Sequence, residues 1–72
     1  MRLRVIRYAE EANYHVCLDD KGGEIRVELF FDGGLTVAGE TNDSIVGKTL
    51  ECEHLDPDLC FAQGVTVIGG EV

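Results

Sequence analysis

This chain of 72 residues has no apolar run long enough to span a bilayer or to act as a secretory leader, since Arg2, Arg4 and Arg7 break up its first seven positions. The expectation is a cytoplasmic protein without membrane contact. Cysteine is scarce and odd in number, with Cys17, Cys52 and Cys60 spaced unlike any disulfide framework, which fits a reducing compartment. Positive charge is sparse as well: six Lys and Arg stand against fourteen Asp and Glu, a net charge of −8. Such a field repels phosphate backbones and anionic lipid, so nucleic-acid binding starts at a disadvantage. Helical periodicity, internal repeats and low-complexity tracts are missing too, which argues against bundles and solenoids.

What is there is a series of short segments in which apolar and polar residues alternate, each closed by a glycine-rich or acidic turn. Leu3 and Val5 alternate with Arg2 and Arg4 in a strand over residues 2–8, with Arg7 interrupting the inward series. Residues 9–12 are a tight connection or a bulge in one long strand. Tyr14, Val16 and Leu18 alternate with His15 and Cys17, and Asp19-Asp20-Lys21-Gly22-Gly23 is a strong hairpin turn because glycine reaches positive φ at no steric cost. Ile25, Val27, Leu29 and Phe31 give the clearest inward face, opposite Glu24, Arg26, Glu28 and Phe30.

After the Asp32-Gly33-Gly34 turn, residues 35–38 read as a short strand and residues 39–44 as an exposed, mobile polar loop. Lys48 to Leu55 form another strand. Asp56-Pro57 has the signature of a helix start, an acidic cap followed by a proline whose missing N–H costs nothing. Leu59, Phe61 and Cys60 would then plug one barrel end, Val65–Ile68 would close the sheet, and residues 69–72 would fray. The fold class is all-β: a small antiparallel barrel of five to six strands, with one helical turn near residues 57–63. Residues 1–72 make one domain, because two halves would each be too small to bury a core. In strand order the chain resembles the oligonucleotide/oligosaccharide-binding (OB) barrel, with a polar loop where that barrel has a helix between its third and fourth strands.

Little in the sequence points to catalysis. His15-x-Cys17 and Cys52-x-His54 are mirror-image pairs that would converge on Zn²⁺ only if their strands were neighbours, and neither pair lies on a turn that could curl around a metal. Buried cysteine is an ordinary core residue, and Glu51 and Glu53 beside Cys52 disfavour a reactive thiolate. Gly47-Lys48-Thr49 lacks the upstream glycine of a phosphate-binding loop, having Asn42 in its place. Asp19/Asp20 and Asp56/Asp58 lie at turns, where solvated caps explain them. A barrel this small also leaves little room for a deep substrate pocket. No enzyme, no metal and no cofactor is the expectation.

Two binding readings remain. Alternation places Arg2, Arg4, Tyr8, Arg26 and Phe30 on outward faces, where cations and aromatics would form a stacking platform for single-stranded nucleic acid if the first and middle strands were adjacent. Glu24 and Glu28 flank Arg26 on the same face and would neutralise it. The favoured reading is a protein-interaction or assembly module, self-associating or bound to a basic partner. It rests on Phe30, Arg26 and the loop around Asn42, because an outward aromatic beside arginine has the composition of an interface centre.

Overall fold

The computed structural model describes residues 1–56 and 58–69 and contains six strands. They are β1 (Arg2–Ala9), β2 (Tyr14–Leu18), β3 (Glu24–Phe31), β4 (Thr49–Glu51), β5 (His54–Asp56) and β6 (Phe61–Gly69). The sheet runs β3-β2-β1-β4-β6-β5, and a further β3–β6 pairing closes β1, β2, β3, β6 and β4 into a barrel with β5 as an extra strand. The all-β barrel read from the sequence is therefore present. It is mixed rather than antiparallel throughout, because β3 and β6 run parallel.

Leu3, Val5, Cys17, Val27, Leu50, Cys52, Ala62 and Val65 fill the interior, each almost fully buried. Ile25, Leu29, Phe31, Leu35, Leu55 and Val67 pack around them. β1 meets this interior through a bulge: Val5 pairs with Cys17 and Arg7 with Val16, leaving Ile6 without a partner. In a regular strand Arg7 would follow Leu3 and Val5 inward, and a buried unpaired guanidinium costs several kcal/mol. One extra residue shifts the alternation by one step, so Arg7 faces out and Tyr8 and Ala9 exchange faces.

Tight turns carry the first three strands. Ala12 and Asn13 N–H donate to Ala9 and Glu10 C=O, and Asn13 takes φ 55°, a conformation asparagine tolerates. Between β2 and β3, Asp19 Oδ1 accepts from Lys21 and Gly23 N–H at 2.9 and 2.7 Å, while Gly22 adopts φ 79°. The hairpin expected there is present.

Three local expectations are corrected. Residues 35–38 form turns instead of a strand: Ala38 N–H donates to Gly34 C=O and Glu40 N–H to Leu35 C=O. One edge of β3 at Phe31 is already paired with Val65 of β6. The expected strand over residues 48–55 is split at Cys52 and Glu53 into β4 and β5, which pair with successive stretches of β6. No helix occurs among the described residues. Asp56 Oδ1 does accept from Asp58 and Leu59 N–H, at 3.0 and 3.1 Å, but Cys60 turns to φ 55° and Phe61 already belongs to β6. Pairing of Phe61–Gln63 with both β3 and β5 overrides the local helix signal.

The plug is also elsewhere. Leu59 is 66% exposed and Cys60 is exposed, whereas Ile45, from the connection between β3 and β4, is fully buried in the core. Of the tail expected to fray, Gly69 ends β6, and residues 70–72 lie outside the described residues.

Candidate functional site

The strand registers place every candidate side chain. Even-numbered residues of β2 and β3 face outward: Val16 pairs with Arg7 on one side and with Arg26 on the other. Arg7, Val16 and Arg26 thus form one row across β1, β2 and β3 on the side away from the core, with Val16 itself fully covered. Further along, the Arg26 guanidinium lies 5.9 Å from the centre of the Tyr14 ring. Phe30, 49% exposed, meets Phe61 edge-on with ring centres 5.6 Å apart. Glu28 pairs with Phe61 in the parallel ladder and so belongs to the same face.

The outcome for the sequence-derived residues is mixed. Arg2 and Arg4 lie on the outer face of β1, and Arg2 Nε sits 3.5 Å from Glu51 Oε2. Arg26 and Phe30 lie on the outer face of β3. However, β2 separates these strands, about 10 Å across the sheet at two strand spacings. The registers set Arg4 level with Glu24, so Arg2 and Arg4 are also offset along the strands from Arg26 and Phe30. Tyr8 leaves the set, because the bulge turns it toward His15, with ring centres 4.6 Å apart. Arg7, Tyr14 and Phe61 join the face instead. Among the described residues neither Arg7 nor Arg26 forms an ion pair; the expected neutralisation of Arg26 by Glu24 and Glu28 gives way to stacking on Tyr14.

The loop around Asn42 is tied to one barrel end. His15 Nε2 donates to Asn42 C=O at 2.9 Å, and Asn42 Nδ2 donates to Tyr8 OH at 3.3 Å. A carbonyl only accepts, so Nε2 carries the imidazole proton. His15 is buried, and desolvation holds its pKa below the ordinary histidine value, against the opposing pull of the Asn42 hydrogen bond and the Asp43 charge. Ser44 and Thr41 exchange side-chain and backbone hydrogen bonds, while Ser44 Oγ and Lys48 Nζ bind Glu40 at 2.6 and 3.0 Å. These bonds hold Glu40 below the usual carboxylate range, Ser44 contributing most.

The four soft ligands do not converge. Cys17 and Cys52 are both in the core, His15 is committed to Asn42, and His54 is exposed on β5. Among the described residues, no cluster of three or more His, Cys, Asp and Glu is arranged to hold a metal ion. Burial pushes the Cys17 thiol up to about 12, with Cys52 adding to the effect, and burial also raises Cys52. Neither is an activated nucleophile.

One feature was not legible in the sequence: an open cleft of about 440 Å³ between the first half of β3 and the β5 end, lined by Glu24, Ile25, Arg26, Val27, Leu55, Asp56 and Cys60. It exists because β6 pairs with β3 only from Glu28 onward. No helix among the described residues is long and apolar enough to cross a membrane. Neither a family model, nor a curated protein, nor a solved structure matches this chain.

Proposed function

We propose that this protein is a binding module that acts through protein contacts on the outer face of β2, β3 and β6, without catalysing a reaction. The observation that carries this reading is the half-exposed Phe30, held edge-on by Phe61 on the face where Arg26 stacks on Tyr14. Rigid aromatics and arginine are the side chains that dominate interface centres. Their mutual contacts fix them in place, which lowers the entropy lost when a partner docks. The net charge of −8 favours a basic partner.

A second reading has its own support. The bulge in β1 brings Arg7 into one row with Arg26, and Tyr14, Phe30 and Phe61 add aromatic surface to that face. The barrel's strand order, with β3 parallel to the last strand, agrees with an OB-like outline, in which the face of the second and third strands binds oligonucleotides. Single-stranded nucleic acid would stack there, but Glu24 and Glu28 lie on the same face, and the total charge opposes it.

A photoreactive phenylalanine analogue at position 30, in cells that express the chain, separates the two. The expected product is an adduct destroyed by protease and resistant to nuclease, and lost in an Arg26→Glu variant. A nuclease-sensitive adduct transfers the assignment to nucleic acid. Absence of any adduct overturns both readings. In vitro, amide shifts with a mixed single-stranded oligonucleotide at low salt that vanish at high salt would support the second reading.

A further inference from the structure

At the cleft, the backbone of β3 presents an edge that no strand of the described residues covers. Asp19 N–H donates to Gly23 C=O at 2.9 Å, which sets the phase of the β2–β3 ladder: Ile25 and Val27 turn their backbone groups toward β2. The N–H and C=O of Glu24 and Arg26 therefore point to the opposite edge. On that edge Glu28 N–H already donates to Cys60 C=O at 2.9 Å, where β6 begins. From Glu24 to Val27 no strand pairs with this edge among the described residues. An open edge with unpaired donors and acceptors is a template for one more strand.

The cleft beside this edge is suited to the side chains of such a strand. Ile25, Val27 and Leu55 supply an apolar floor, and alternate residues of an extended segment would point onto it. Glu24 on the β3 side and Asp56 on the β5 side form an acidic rim, while the Arg26 guanidinium is drawn away over Tyr14. We infer that β3 accepts, by strand addition along Glu24–Val27, an extended segment of another protein in which aliphatic residues alternate with Lys or Arg. Complementarity to the acidic rim and to the net charge of −8 selects this occupant. The same charge disfavours a second copy of the chain, which would bring another acidic rim to the first.

The test uses the intact protein and a synthetic six-residue peptide alternating lysine and valine, blocked at both ends. Expected are saturable amide shifts over Glu24–Val27, slowed hydrogen exchange at the Glu24 and Arg26 N–H groups, and protection of Cys60 from alkylation. Methylating the backbone nitrogens of alternate peptide residues should weaken binding about tenfold or more, because edge hydrogen bonds are lost with side chains and charge unchanged. A Glu24→Pro variant should lose more affinity than a Glu24→Gln variant, because both lose the rim carboxylate but only the first also loses an edge N–H, and proline is tolerated at the first residue of a strand. If that variant does not fold, the methylated peptide still decides the question on the unaltered protein. Shifts centred on Tyr14, Phe30 and Phe61 instead would overturn strand addition while supporting the outer face. Equal binding by the methylated peptide, or no shift at Glu24–Val27 at about 1 mM peptide, would overturn it outright.

Discussion

His15 sits where packing and protonation meet. It is 4% exposed, stacked near Tyr8, and gives its Nε2 proton to Asn42 C=O. Burial lowers its pKa in the folded chain, so the unfolded chain binds the proton more readily. Stability contributed by the neutral ring is fully present above the unfolded value near 6.5 and is lost as pH falls through that value toward the folded pKa. The slope for one such group cannot exceed about 1.4 kcal/mol per pH unit. Chemical denaturation at pH 7.5 and 5.5 should therefore show a loss of stability on acidification. A His15→Gln variant, which keeps a donor for Asn42, should lose much of that pH dependence; an unchanged slope would remove His15 as its source.

At the scale of elements, legibility followed the range of the interactions involved. The β2–β3 hairpin and the inward face of β3 were readable because Gly22, Gly23 and the Ile25/Val27/Leu29/Phe31 alternation act within a few residues of one another. The bulge at Ile6 was hinted at by Arg7, the one charged residue out of phase, but its position depends on the β2 register. That one step removed Tyr8 from the candidate site and admitted Arg7. The helix signal at Asp56 failed because Phe61–Gln63 are claimed by strands on both sides, a pairing no local pattern reveals. The identity of the plug follows from the same failure. Ile45→Ala should cost about 2–5 kcal/mol, enough to unfold much of a small domain, whereas Leu59→Ala at an exposed turn should stay within about 0.5 kcal/mol. Thermal melts of the two variants check this, and equal losses would contradict the burial pattern.

Across the whole molecule, charge and size interact. The chain has a net charge of −8 within a radius of gyration of 10.8 Å, so nearly all its carboxylates feel one another when folded. Unfolding relieves that repulsion, and salt screens it. The Debye length is about 10 Å at 0.1 M salt, comparable to the radius of gyration, so most of the screening benefit should be gained by that concentration. Opposing this are the exposed Arg2–Glu51 pair and the better-covered Lys48–Glu40 pair, both of which salt weakens. Repulsion among the excess carboxylates should win. The melting temperature is expected to rise between about 0.01 and 0.1 M sodium chloride and then to flatten. A steady fall would mean that the few ion pairs outweigh the net charge, and it would weaken the argument that an acidic surface draws a basic partner to both the outer face and the open edge of β3.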